Sequence, residues 1–267
     1  MLLAIDIGNS KIAFGLFDED KIIHHLYYAS DEWYLDPCFI APLKRLFKET
    51  GISPGDIKNA VIASVVQKIT PALERSLMRS GKIENVLVIT HDTPSGLVNG
   101  YEKPEELGLD RLANAAGGVL MAGAPIIVAD IGTAITLEAV DHDRVFRGGV
   151  IMPGIDMAAD CLYYRTSQLP RSVPRIFPEK AIGRNTLSCM QSGIILGATE
   201  ALNGLIRRTR NELGSKAPVI LTGGGANFLS SGISVEHRIE PHLTLHGLRS
   251  IFELNGEEEM HKREQGE

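Results

Sequence analysis

Leu2-Leu3-Ala4-Ile5-Asp6-Ile7-Gly8-Asn9-Ser10 returns in outline as Ile126-Ile127-Val128-Ala129-Asp130-Ile131-Gly132-Thr133-Ala134. Each copy is a short apolar run of the kind that makes a buried strand, ending in Asp-Ile-Gly. The sequels match too. Lys11–Phe17 and Lys21–Tyr27 are joined at Asp18-Glu19-Asp20, and Ala134–Val140 and Val145–Met152 at Asp141-His142-Asp143. A strand, an Asp-Ile-Gly turn and two more strands therefore occur twice, at residues 2–27 and 126–152. The duplication predicts an α/β protein of two similar lobes facing a cleft, with one Asp-x-Gly turn on each wall.

Working outward, Pro42–Thr50 has helical spacing closed by Gly51, and Ala60–Val66 reads as a buried strand. Thr70-Pro71 opens a helix to about Arg79, and Val86–Thr90 is a further strand. His91–Leu109 reads as a loop, and loops of that length are usually functional or disordered. Thr186–Leu213 is one or two helices, and the strand Pro218–Leu221 runs into Thr222-Gly223-Gly224-Gly225. The polar segment 256–267 is expected to be disordered, with 1–117 as the first lobe and 118–255 as the second.

The charge balance is 27 Lys+Arg against 33 Asp+Glu, a net −6, which argues against nucleic acid as the main partner. The apolar start stops at Asp6, too short for a membrane span or a signal peptide, so neither is expected. Cys38, Cys161 and Cys189 show no metal or redox spacing and read as reduced thiols of a cytoplasmic protein.

Three turns could carry chemistry. In Asp6–Ser10, Gly8 permits a sharp turn whose N–H groups can hold an anion, and Asp6 could hold Mg²⁺ through water. A plain hairpin turn uses the same residue types. Gly132-Thr133 after Asp130 is the second copy, and two copies point to two phosphate-binding hairpins. Gly223-Gly224 could lie flat on a nucleoside or could be a strand-to-helix turn. In the loop, Tyr101, Gly108, Leu109, Asp110 and Arg111 combine an aromatic ring, a carboxylate and a guanidinium. Asp110 could be a helix N-cap or a base; Arg111 could neutralise it or grip a substrate carboxylate.

In order, the chain carries Asp6–Ser10, Tyr101–Arg111, Asp130–Ala134, Gly148–Gly154, Gly183–Thr186 and Thr222–Gly224. This series resembles the type III pantothenate kinases, and the likeness extends to about residue 254. Three positions depart from the family pattern: Lys11, where Asn is frequent; Gln67-Lys68, where two prolines are usual; and Ile135, where Thr is typical.

The resemblance implies an actin-like ATPase fold with ribonuclease H-like lobes, and transfer of the ATP γ-phosphoryl to pantothenate, the first step toward coenzyme A. It implies that Asp6 orients Mg²⁺, and that Gly8, Asn9, Ser10, Lys11, Gly132, Thr133, Gly223 and Gly224 hold the nucleotide. Asp110 would be the base, and Tyr101, Gly108, Leu109 and Arg111 would line the pantothenate pocket. It further implies a homodimer in which Thr186 reaches the partner's pocket, and a monovalent cation, K⁺ or NH₄⁺, near Asp130. Two alternatives share the fold: a non-catalytic regulatory relative, and another small-molecule phosphotransferase. Intact Asp6, Asp110 and Asp130 speak against the first, and the Tyr101–Arg111 segment against the second. An actin-like structural ATPase is disfavoured, because 267 residues leave no room for actin's extra subdomains.

Overall fold

The computed structural model describes residues 1–30, 40–66, 68–80 and 82–265; Cys38 and Gln67 lie outside them. The chain divides into two units, Met1–Leu120 with Leu243–Glu267, and Met121–His242. Unit 1 holds β1 (Leu2–Ile7), β2 (Lys11–Asp18), β3 (Lys21–Ala29), α1 (Ile40–Thr50), β4 (Asn59–Ser64), α2 (Thr70–Ser80) and β5 (Asn85–Val88). After a two-residue strand β6 (Val98–Asn99) comes α3 (Leu109–Ala122). Unit 2 holds β7 (Ile126–Ile131), β8 (Ala134–Val140), β9 (Val145–Pro153), α4 (Ile155–Arg165) and α5 (Thr186–Gln191). A π-helical turn, Ser192–Leu196, joins α5 to α6 (Gly197–Glu212); β10 (Val219–Thr222), α7 (Ala226–Ser230) and β11 (Arg238–Ile239) follow. The last helix, α8 (Leu243–Gln265), returns to unit 1.

The strand orders confirm the duplication. Unit 1 runs β3-β2-β1-β4-β5, and the strands of unit 2 run β9-β8-β7-β10-β11. In each, the first three strands are antiparallel and the last two continue parallel to the first. This is the ribonuclease H-like order, so each half has the architecture of an actin-like ATPase lobe.

In unit 1 both faces of the sheet are covered, which is why β1 is apolar almost throughout. Leu3, Ile5 and Ile7 pack with Leu43, Leu46, Leu73 and Leu77 of α1 and α2. Leu2 and Ala4 share the other face with Ala13, Phe17, and Leu245, Leu248 and Ile251 of α8. Burying each Leu or Ile contributes about 1.5–3 kcal/mol. Small residues admit the helices closely. A methyl at Gly247 would overlap the Ala113 carbonyl, and one at Gly117 would lie 2.5 Å from the Leu243 oxygen. Thr244 Oγ1 also donates to buried Asn114 Oδ1 at 2.6 Å.

Two sequence expectations differ here. The division at 117/118 grouped residues 243–255 with the second half, yet α8 packs on β1 and β2. A local reading cannot see that long-range pairing. The segment 256–265, expected to lack structure, continues α8 to Gln265. Its Glu, Lys, Arg, Gln and Met are good helix formers, so polarity alone was a poor guide.

Candidate active site

The turn after β1 is pinned from both sides. Gly8 N–H donates to the Lys11 carbonyl at 3.0 Å, closing the hairpin. Ser30, at the end of β3, donates Oγ–H to the Gly8 carbonyl at 2.7 Å and N–H to the Ser10 carbonyl at 3.1 Å. Asn9, Ser10 and Lys11 stay exposed at the tip. Asp6 lies opposite Ala13, and Ala13 opposite Tyr27, so these three side chains share one sheet face. Burial pushes the Tyr27 phenol above its ordinary pKa, and the nearby Asp6 carboxylate adds to the rise. Tyr27 therefore stays a neutral phenol at physiological pH.

The long loop leads into α3. It contains β6 and a single 3₁₀ turn, Pro104–Glu106. His91 Nε2 contacts the Leu107 carbonyl at 2.8 Å, and Asn99 Nδ2 donates to the Pro104 carbonyl at 3.1 Å. Asn99 Oδ1 in turn accepts Tyr101 N–H at 3.1 Å. The segment is thus laced by side-chain-to-backbone bonds, which the local sequence does not announce. Arg111, only 6% exposed, donates from Nη1 to Tyr101 Oη at 2.6 Å. The aromatic and the guanidinium expected to act together are in contact.

Asp110 is not the helix cap. The Gly108 carbonyl accepts the first intrahelical bond, from Leu112 N–H at 3.0 Å, so Gly108 takes the capping place. Asp110 sits in the first turn, where its Oδ1 accepts Arg111 N–H at 2.8 Å and where the helix field favours a negative charge. A methyl at Gly108 would lie 2.5 Å from that Oδ1. Beside this corner is a cavity of about 420 Å³, walled by the ends of β4 and β5, the start of α2 and Leu107–Leu109.

In unit 2, the Asp130 turn gathers the other expected residues. Gly132 N–H donates to the Ala134 carbonyl at 3.0 Å, closing the second hairpin one residue tighter than the first. Gly223 has φ +84°, and any side chain there would overlap Asp130 Oδ1. Gly225 N–H donates to the Ile131 carbonyl at 2.8 Å. The Thr222–Gly224 turn therefore lies against the Asp130–Gly132 turn. Gly154 N–H donates to the Thr133 carbonyl at 3.0 Å, which brings the start of α4 to the same turn. Thr186 opens α5 behind an Asn185 cap that accepts Ser188 N–H at 2.9 Å, and it is exposed. The contacts that fix it belong to the helix start and not to the Asp130 turn.

Ser30, Tyr27, His91 and Asn99 were missing from the sequence reading. Ser30 and Tyr27 act through cross-strand pairing, and only an assigned β2–β3 register could have exposed them. Among the described residues no three His, Cys, Asp or Glu side chains form a metal-binding group. One carboxylate beside an exposed turn still fits Mg²⁺, which keeps several waters and takes much of its shell from a nucleotide.

Comparison with known proteins agrees with this architecture. The family model for type III pantothenate kinase matches residues 2–208. A type III pantothenate kinase of Bacillus cytotoxicus is 36% identical over 255 residues, covering 96% of this chain and 97% of its own. Among solved structures, a conserved protein of Campylobacter jejuni named for the Baf family of transcriptional activators aligns with a TM-score of 0.62 at 19% identity. The alignment covers 96% of this chain and 99% of that one. The ethanolamine utilization protein EutJ of Carboxydothermus hydrogenoformans aligns at 0.50 and 12% identity, over 94% and 89% of the two chains. At those identities the structural likeness speaks for the fold alone.

Proposed function

This chain belongs to the type III pantothenate kinase family, and from that membership we propose how its two turns and its substrate loop share the work. The reaction is transfer of the γ-phosphoryl of ATP to pantothenate, the entry to coenzyme A synthesis, with a divalent metal accompanying the nucleotide. Phosphoryl transfer asks mainly for positioning and for neutralisation of charge.

The single observation that carries the assignment is the corner at Asp110. A carboxylate at a helix start, a bare glycine against it, and a buried Arg111 bonded to half-buried Tyr101 occur together where the loop enters α3. In our reading Asp110 takes the proton of the pantothenate primary hydroxyl. Placement of the carboxylate against that hydroxyl supplies much of the rate. Arg111, steadied by Tyr101, receives the pantothenate carboxylate. Gly108 and Leu109 line the approach.

Asp6 would hold the water shell of Mg²⁺, which when bound offsets phosphate charge. The turns at Gly8–Ser10 and Gly132-Thr133 offer N–H groups to the phosphates, and Gly223-Gly224 lies along the nucleoside. The Asp130 turn is the place for K⁺ or NH₄⁺.

The dimer reading draws support from exposed apolar side chains on and after α4. Tyr164 is 67% exposed and Ile182 84%, with Met157, Leu162 and Tyr163 also open. Exposed apolar side chains in this number suit a surface that a second copy covers. Thr186 is exposed a few residues after Ile182, and in our reading it reaches the partner's pocket. A cytoplasmic setting accords with two exposed free thiols, Cys161 and Cys189. No helix of the described residues is long and apolar enough to cross a membrane.

The test is product analysis. Purified protein with ATP, Mg²⁺ and pantothenate should form 4'-phosphopantothenate, faster in K⁺ or NH₄⁺ than in Na⁺ at matched ionic strength. Equal rates in K⁺ and Na⁺ would remove the cation from the Asp130 turn. Absence of phosphorylated pantothenate, with turnover of another alcohol, would overturn the substrate.

A further inference from the structure

The two hairpins share a strand plan but differ in what stands on the sheet face beside the acid. In the first, Asp6 faces Ala13 across the ladder, and Ala13 faces Tyr27. Lys11 lies two residues before Ala13, hence on the same face and diagonal to Tyr27, a spacing that long side chains and rings can bridge. They do meet: the Lys11 ammonium sits 4.6 Å from the Tyr27 ring centroid. In the second hairpin, Asp130 faces Thr136, and Thr136 faces Ile151. Where Lys11 and Tyr27 stand in the first copy, the second therefore has Ala134 and Ile151. One hairpin carries a seated cation and the other cannot.

Ala13 matters to this design. It puts only a single methyl between Asp6 and Tyr27, and Lys11 reaches the ring beside it. Ser30 meanwhile fixes the turn that launches Lys11, by bonding the Gly8 and Ser10 carbonyls. The ammonium is held at the tip of an exposed, anion-ready turn. A flexible four-carbon stem alone would lose rotamer freedom on binding phosphate; a ring that preorganises it reduces that cost.

We propose that Tyr27 is a positioning residue which seats Lys11 as a fixed cation for the ATP phosphates, making the first hairpin the stronger of the two phosphate grips. The inference rests on the kinase reading and adds to it a residue and an asymmetry between the turns. Cation–π seating of this kind is favourable by an amount that grows as the pair is desolvated, as a bound nucleotide would do.

The experiment compares wild type with Lys11→Met, Lys11→Arg, Tyr27→Phe and Tyr27→Ala, reading steady-state constants and calorimetric binding of a non-hydrolysable Mg·ATP analogue. Lys11→Met should raise KM for ATP and the analogue Kd by roughly ten- to hundredfold, the scale of a lost charge-assisted hydrogen bond, and leave KM for pantothenate unchanged. Lys11→Arg should keep most of the affinity. Tyr27→Phe retains the ring and should stay within about twofold of wild type, whereas Tyr27→Ala should weaken ATP by roughly three- to tenfold. A Lys11→Met protein with wild-type analogue affinity would overturn the phosphate contact. Equal losses in Tyr27→Phe and Tyr27→Ala would overturn the ring as the seat. The calorimetry separates this proposal from the kinase reading: Lys11-dependent analogue binding without pantothenate turnover would sink only the latter.

Discussion

Gly108 shows how one missing side chain makes room for a neighbouring carboxylate. Its carbonyl caps α3 while its bare Cα leaves room for the Asp110 carboxylate. Gly108→Ala would place a methyl 2.5 Å from Asp110 Oδ1, so the carboxylate must turn away. We expect kcat to fall by roughly ten- to hundredfold, the usual penalty for a small misplacement of a catalytic group. Thermal stability should fall only modestly, by about 1 kcal/mol, because alanine is a poorer helix cap than glycine. A Gly108→Ala enzyme with wild-type kcat would show that the Asp110 rotamer is unimportant. The sequence displayed Asp110 and Arg111 as a carboxylate and a guanidinium at a helix start, and that much was legible. It could not tell a cap from a first-turn acid, because the choice depends on which carbonyl accepts the first helical bond.

Among elements, the two hairpins were the most legible feature. Apolar runs broken by Asp-Ile-Gly have a period and a punctuation that survive without coordinates. What each turn leans on was hidden. Gly223 at φ +84° lies against the Asp130 turn, some ninety residues away in sequence. A side chain there meets both a strained backbone and the Asp130 carboxylate. Gly223→Ala should cost about 2–4 kcal/mol, combining overpacking with a left-handed non-glycine residue. Urea unfolding measures this directly, and a loss below 1 kcal/mol would mean the turn shifts freely. The lacing of the substrate loop by His91 and Asn99 was equally hidden, since His and Asn carry no signal of which carbonyl they reach. The return of α8 to unit 1 belongs with these long-range pairings.

For the whole molecule, the family match gives the reaction, and the proposed shared site makes a prediction about paired copies. If Asp110 of one protomer and Thr186 of its partner serve one site, inactive Asp110→Asn and inactive Thr186→Ala proteins should rescue each other. After subunit exchange about half the dimers are mixed, and one of the two sites in each carries neither lesion. Activity should return to roughly a quarter of wild type, by the counting that twofold symmetry requires. No recovery after verified exchange would mean that both residues serve the same chain's site.

The most direct measurement is pantothenate-dependent ADP release by wild type and by Asp110→Asn, assayed together in Mg²⁺ and K⁺. Asparagine keeps the size of Asp110 and removes the base. We expect robust release by wild type, a fall of at least about 10²-fold in kcat for the variant, and the same melting temperature within a few degrees. Near-normal turnover by Asp110→Asn would contradict the assignment and leave Asp110 a structural acid at the start of α3.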